Sequence, residues 1–300
     1  MGVESPHKDD AGTLRMFARH DQDTMMKFSK IALTLTLALA ASASQVSAAI
    51  IASDDFSYAT GALNGANGGT GWSGGWSATG AASVSDPAVD LDGNRAASFT
   101  SNAGNAAHRA LSSAFTGDSV FVSFFIQVAT GSNIGNNDFL GLWLQNGAAN
   151  EGLNRPTLGL KGNEVTNDAS RNDLFVRTTG SNGSFLASSN VMLGQTHQIV
   201  GHLYRNAAGN YTNFDAWLNP TAGDLGTPDA SFVGNSGINQ ITRVGIRTAH
   251  LDPGDNVLID RVVLATTFRE AIGQPIPEPG VLGLLGLGLA GMAFMRRRMA

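Results

Sequence analysis

Between Ala49 and Pro279 of this 300-residue chain, the side chains that could do chemistry are a few carboxylates, four dispersed histidines, four tryptophans and two acidic turns. Retaining cleavage of a glycosidic bond needs two carboxyl groups about 5 Å apart, most simply carried on one face of a strand at alternate positions. Between Ala49 and Pro279 the only glutamates are Glu151, Glu164, Glu270 and Glu278, and no two stand at i, i+2 or i, i+4. Glu151 sits among Asn150, Gly152 and Asn154, the composition of an exposed loop, so these acids read as solvated groups. His108, His197, His202 and His250 offer a base or a metal ligand. His197 and His202 are five residues apart on an expected strand, which turns them to opposite faces and rules out joint chelation. Elimination chemistry on a polysaccharide would need a Tyr or His beside Arg and Asn or Gln; those types are present, but their order along the chain does not bring them together. The absence of cysteine excludes thiol catalysis and thiolate metal sites.

Two features suit binding. Trp72 and Trp76 stand in a glycine-rich stretch, where an indole can stack on a sugar ring or fold back over the first strand to hold the loop; Tyr58, Tyr204 and Tyr211 could add hydrogen bonds. Trp143 and Trp217 lie in strand-like runs and are expected to pack between sheets. Asp252-Pro253-Gly254-Asp255-Asn256 collects two carboxylates and an amide in a tight turn, and Asn136-Asn137-Asp138 is similar. These are calcium-type donors, although calcium takes six to eight oxygens and neither stretch supplies that many. Asp and Asn also favour turns through bonds to their own backbone.

The elements that would position these groups are strands. Ser119 to Val128 places Val120, Val122, Phe124 and Ile126 on one face and Phe121 and Phe125 on the other, the pattern of a central strand covered on both sides. Further strands are expected at Asp138–Gln145, Thr157–Lys161, Leu174–Arg177, His197–Tyr204, Asn213–Asn219, Ile241–Arg247 and Val257–Ala265, with a hairpin-like turn at Asn206–Asn210. No stretch before the C-terminal tail sustains helical periodicity. Many short strands with turn residues between them predict an all-β, antiparallel β-sandwich or jelly roll, and the length fits one domain, 49–270. From Ala49 to Pro279, fifteen Asp and four Glu face ten Arg and the single Lys161, a net charge near minus eight. That balance argues against a polyanionic partner. Because the arginines fall singly between strands, no basic stripe for nucleic acid is visible.

Both ends carry targeting patterns. Lys27 and Lys30, the apolar stretch Ile31 to Ala41 and the small residues ending Val46-Ser47-Ala48 make a signal peptide over 25–48, cut after Ala48 by signal peptidase of the general secretion machinery. Residues 1–24 read as a disordered upstream extension, the true start being Met25 or Met26. At the other end Pro277-Glu278-Pro279 precedes an uncharged run from Gly280 to Met295 and then Arg296-Arg297-Arg298. Sixteen residues at about 1.5 Å each give a helix of roughly 24 Å, short of the ~30 Å hydrocarbon core, which suits a temporary transmembrane anchor. The arginines stay cytoplasmic and everything before Pro277 lies across the membrane. This tail, 275–300, resembles the PEP-CTERM sorting signal of Gram-negative bacteria that make extracellular polysaccharide. The resemblance implies an exosortase-type membrane protease that recognises Pro277-Glu278-Pro279, removes the helix and basic tail, and passes the protein to the surface or matrix.

The domain itself resembles secreted concanavalin A-like (laminin-G-like) jelly rolls, through Asp54-Asp55-Phe56-Ser57-Tyr58, Gly68-Gly69-Thr70-Gly71-Trp72-Ser73-Gly74-Gly75-Trp76, Asp215-Ala216-Trp217-Leu218-Asn219-Pro220 and Ile259-Asp260-Arg261-Val262-Val263. The resemblance implies first and last strands side by side, loop calcium in many members, and, in its glycosidases, a Glu-x-Asp-x-Glu run that this chain lacks. Together these readings point to an exported, non-enzymatic surface or biofilm-matrix protein without a required cofactor. Expected sites are the sorting motif, Trp72 and Trp76 for glycan, and Asp252, Asp255 and Asn256 for calcium. Exopolysaccharide is the expected partner, nucleic acid is not, and the rival is a glycoside hydrolase or polysaccharide lyase on the same scaffold.

Overall fold

Period-2 apolar patterning makes strands, and strands with two apolar faces make layers. The computed structural model describes residues 49–274 apart from 87–88, 90–94, 148–154, 163–171, 206 and 208. The extension 1–24, the signal peptide 25–48, Glu151, Glu164 and the sorting tail with Pro277-Glu278-Pro279 and Arg296-Arg297-Arg298 lie outside the described residues.

Two antiparallel sheets face each other. The nine-stranded sheet contains β1 (Ile50–Asp54), β2 (Gly61–Ala62), β4 (Ala82–Ser85), β5 (Ala96–Phe99), β7 (Ser119–Val128), β12 (Thr196–Tyr204), β13 (Asn213–Leu218), β14 (Ala230–Val233) and β16 (Val257–Ala265). Their order is β14-β13-β12-β7-β16-β5-β4-β2, with β1 also paired to β16. The seven-stranded sheet contains β3 (Ser77–Ala78), β6 (Ala103–Phe115), β8 (Phe139–Gln145), β9 (Thr157–Lys161), β10 (Leu174–Arg177), β11 (Ser184–Phe185) and β15 (Ile241–Ala249), in the order β11-β10-β9-β8-β15-β6-β3. First and last strands are neighbours: Ile50 opposes Ala265 and Asp54 opposes Val262. The architecture is an all-β antiparallel sandwich. The described strands and the main core lie between Ala49 and Gln274, so this stretch carries a hydrophobic core of its own.

That core alternates as the pleat requires. Val120, Val122, Phe124 and Ile126 of β7 meet Leu140, Leu142 and Leu144 of β8, Leu158 and Leu160 of β9 and Val244 and Ile246 of β15. The other face of β7 is covered too. Phe121 joins Val200, Trp217, Val263, Ala265, Phe268 and Ala271 in a second cluster on the outer side of the nine-stranded sheet. The cover is a four-residue helix, α1 (Phe268–Ala271), with Thr267 as N-cap and Glu270 reaching back to its hydroxyl at 2.9 Å, a capping box. Ser123 Oγ donates to the Ala271 carbonyl beneath it.

Trp217 therefore does not pack between the sheets as expected. Opposite Val200, it takes the outer parity of β13, and its Nε1 donates to the Asp224 carbonyl at 2.8 Å. His197 and His202 do take opposite faces, facing Ile126 and Phe121 respectively across the β7 ladder. His202 is stacked between Phe121 at 4.0 Å and Tyr204 at 4.7 Å. Burial lowers its pKa to about 4; burial likewise lowers His197, and burial with Arg243 lowers His108. The unfolded chain thus binds more protons than the fold between pH ~6.5 and ~4. Stability is expected to be full above pH ~6.5 and to fall as the pH drops through that window. His202→Phe, which keeps the ring stack, should flatten the decline in urea midpoints; an unchanged slope would remove His202 from the account.

Candidate functional site

The glycine-rich segment after β1 is held by a buried ion pair. Asp54 and Arg109 are 1% and 2% exposed and joined through Arg109 Nη1 and Asp54 Oδ2. Asp54 also accepts from Phe56 N at 2.9 Å, the Tyr58 hydroxyl at 2.6 Å and Trp76 Nε1 at 2.8 Å. Arg109 Nε donates to the Gly74 carbonyl and Nη2 to Asn67 Oδ1, both at 2.6 Å, with the guanidinium carbon 5.1 Å from the Trp72 ring centre. Burial, then the Asp54 contact, pushes the Tyr58 phenol well up. Thr70 and Ser53 exchange backbone bonds at 2.9 Å. That approach needs glycine at 69 and 71, where φ is positive and a Cβ would sit 2.0 Å from the Ser53 or Ile51 carbonyl oxygen.

This geometry corrects the glycan expectation for Trp76. Trp76 is 1% exposed, stacked on Phe56 at 5.5 Å and bonded to Asp54, so it presents no face to a sugar. Trp72 is half-buried, with Nε1 on the Ser53 carbonyl at 2.9 Å, folded back over β1.

The acidic turn is likewise engaged. Asp255 is 2% exposed; Oδ1 accepts from Asn133 N at 2.7 Å and Oδ2 from Asp252 N at 2.8 Å. Asn256 Oδ1 accepts from Ser98 Oγ at 2.7 Å, while Asp252 is exposed. Asp138 stands near enough for Asp255 and Asp252 to act on it: burial raises its pKa, Gly135 N–H opposes that, and the two aspartates add to the rise. The two turns singled out for calcium thus meet, but their oxygens close backbone turns. Among the described residues no three His, Cys, Asp or Glu side chains converge to hold a metal.

The outer face of the seven-stranded sheet brings together residues that are far apart in sequence. Core residues occupy one parity of β8, β9, β10 and β15, which sends Phe139, Trp143 and Gln145, Thr157 and Lys161, Phe175 and Arg177, and Arg243 and Arg247 to the other. Register aligns them in rows. His108, Gly245, Trp143, Thr157 and Arg177 form one row across five strands; Arg243 pairs with Gln145 on one side of it, and Arg247 opposes Gly141 on the other. Phe139 pairs with Lys161 one row further. Trp143 is 1% exposed and lies flat on Gly245, whose Cβ would be 1.9 Å from Cζ2. Trp143 too therefore lies outside the inter-sheet core. Arg177 and Arg247 each sit 5.4 Å above the Phe139 ring, and Arg177 5.5 Å above Phe175. The aromatic side chains are a floor and the guanidinium groups a layer above it.

The charges of the two sheets segregate. Strands of the seven-stranded sheet carry Arg109, Lys161, Arg177, Arg243 and Arg247 and no carboxylate; those of the nine-stranded sheet carry Asp54, Asp215, Asp260 and Arg261. The arginines that fall singly along the chain are thus collected on one face by non-local pairing. Arg109 turns inward to Asp54; the other four cations take the outer parity, where Arg177 is buried and Lys161, Arg243 and Arg247 are half-buried.

Residues 275–298 match the PEP-CTERM protein-sorting motif. That motif implies export, a C-terminal membrane-anchoring signal and processing by an exosortase, a membrane protease. No helix among the described residues is long and apolar enough to cross a membrane; the apolar run of the motif lies outside them. No curated protein matches the chain. Solved structures similar to it include the globular domain of Trypanosoma cruzi calreticulin (14% identity, 75% of this chain and 91% of that one, TM-score 0.44). An endo-β-1,4-glucuronan lyase from the fungus Trichoderma reesei (12%, 76% and 100%, 0.44) and the carbohydrate recognition domain of Emp47p (11%, 71% and 94%, 0.42) are also similar.

Proposed function

We propose that this chain, an exported protein bearing a PEP-CTERM sorting motif, is a non-enzymatic surface or matrix protein whose sandwich contacts polysaccharide through the outer face of the seven-stranded sheet. The observation that carries the reading is the make-up of that face. Half-buried Arg243, Arg247 and Lys161 lie at the outer side of that sheet, Arg247 over the Phe139 ring, with Gln145, Thr157 and Trp143 buried beside them, a few oriented polar groups against an apolar body, as in sugar sites. Glycosidase chemistry needs a carboxylate pair, and the strands of this face supply none. Of the glutamates, Glu270 caps α1 on the other sheet.

A second reading has one specific observation behind it. His108 lies diagonal to Arg243 in the β6–β15 pairing, its Nδ1 is 3.1 Å from Asn105 Nδ2, and its lowered pKa keeps it a neutral base at pH 7; that grouping suits proton abstraction by a lyase. Residues 49–274, offered polysaccharide extracted from the producing cells, separate the two. Saturable retention without new chain ends supports the binding protein. Release of shortened, unsaturated products that stops in His108→Ala would replace it with the lyase.

A further inference from the structure

Asparagine followed by glycine can react with itself. The glycine nitrogen attacks the asparagine Cγ, an approach that a side chain at the second position would hinder. The chain contains four such pairs: Asn64-Gly65, Asn67-Gly68, Asn146-Gly147 and Asn182-Gly183. Exposure does not separate them, since Asn64, Asn67 and Asn182 are all exposed; hydrogen bonding does. Asn64 Oδ1 accepts from Ala78 N at 3.1 Å, and Gly65 N donates to the Trp76 carbonyl at 2.7 Å. Asn67 Oδ1 accepts from Arg109 Nη2 at 2.6 Å, and Gly147 N donates to Thr242 Oγ1 at 2.9 Å. In each of these pairs the side-chain amide is held or the attacking N–H is engaged. Asn182-Gly183, in the turn between β10 and β11, carries neither restraint among the described residues. Leu186 N donates to the Leu174 carbonyl at 2.8 Å and Val176 opposes Ser184, so the alternation of an antiparallel ladder turns Gly183 N–H away from β10. β11 is the last strand of its sheet, which leaves no strand of that sheet to engage it.

We infer that Asn182 is a self-modification site, converted in water alone to aspartate and isoaspartate while the other three pairs are spared by the fold. Gly183 N loses its proton and bonds to Asn182 Cγ; the Cγ–Nδ2 bond breaks, the amide leaves as ammonia, and a succinimide ring closes. Water then opens the ring at either carbonyl. Breaking the Cγ–N bond gives aspartate; breaking the original peptide bond to Gly183 gives isoaspartate, with the main chain running through the side chain. The sum is one water consumed and one ammonia released, without any oxidant or reductant. Each conversion adds a negative charge. Isoaspartate also adds a methylene group to the main chain two residues ahead of Ser184, whose Oγ donates to the Ser231 carbonyl of β14 at 2.7 Å. The modification therefore acts where the edges of the two sheets are tied together.

Residues 49–274, aged in mildly alkaline buffer and digested with trypsin, test this by mass spectrometry. Peptide 49–95 carries Asn64 and Asn67, 110–161 carries Asn146 and 178–205 carries Asn182. Freedom from one fixed backbone conformation is worth roughly tenfold, so 178–205 should exchange amide for acid at least about that much faster, per site, than the other two. Fragmentation should place the change at Asn182, with isoaspartate among the products, and Asn182→Gln should abolish it. Ageing in urea, which removes the fold, should bring the three peptides to similar rates per site. A folded-state rate in 178–205 no higher than elsewhere, or a gain of acid that persists in Asn182→Gln, would overturn the inference. Aspartate without isoaspartate would exclude the ring, and a difference that survives in urea would assign the selectivity to local sequence instead of the fold; either overturns it too.

Discussion

Arg109→Ala is expected to destabilise the domain by about 3–5 kcal/mol, because it leaves the Asp54 carboxylate buried without its cation. Asp54 is 1% exposed and gathers Phe56 N, the Tyr58 hydroxyl and Trp76 Nε1 as well as Arg109. Removing the arginine also strands Asn67 Oδ1 and the Gly74 carbonyl, and takes the guanidinium from the Trp72 ring. Domains of ordinary stability have only ~5–15 kcal/mol in total, so the variant should be largely unfolded in low urea. The double variant Arg109→Met/Asp54→Asn, which removes both charges at similar volume, should recover a substantial part of the loss. Urea unfolding followed by tryptophan fluorescence reads both. If Arg109→Ala cost no more than an exposed substitution such as Arg269→Ala, the pin on residues 54–76 would be refuted.

The second large effect is at the other end of the domain. Phe268 is 4% exposed, 5.1 Å from the Trp217 ring and 5.8 Å from Phe121, and truncating such a buried aromatic residue costs about 3–5 kcal/mol. Since α1 has four residues and covers the outer side of the sheet, most of that cost should appear as local undocking rather than global unfolding. Phe268→Ala should redden Trp217 emission and open the chain between Thr267 and Gln274 to protease, while the main core still unfolds cooperatively. The helix ends three residues before the described residues do, and the sorting motif begins at 275, so loosening α1 undocks the segment that leads into the motif. Protection from protease equal to that of the unaltered domain would show that the second cluster does not depend on α1.

Much of this architecture is legible one strand at a time. SVFVSFFIQV reads as a strand covered on both sides, and β7 has the main core on one face and Phe121 under α1 on the other. Thr157–Lys161, Leu174–Arg177 and Val257–Ala265 coincide with β9, β10 and β16, because each is a short apolar run between turn residues. β6 is not legible: AGNAAHRALSSAF is small and polar, and it is a strand because it pairs with β15 and sends Arg109 to Asp54. α1 is too short to show a period, although Thr267 and Glu270 spell its capping box.

The candidate site was harder for the same reason. Arg243-x-Gly245-x-Arg247 does alternate with Val244 and Ile246, a readable hint that one face of β15 is basic. That Arg177, Lys161 and Trp143 join it follows from sheet order, which local pattern does not contain. Nor does local pattern contain the fate of Trp76, decided by an acid 22 residues before it.

Titrating residues 49–274 with short oligosaccharides cut from the producing cells' polysaccharide, while following arginine Nε–H and tryptophan Nε1–H nuclear resonances, tests the central claim most directly. The account predicts that Arg243, Arg247 and Trp143 shift with saturation, while Trp217, Trp76 and Arg269 stay in place. Shifts confined to Trp217 and Arg269, or none at ligand concentrations that compete with the polysaccharide for the protein, would contradict it.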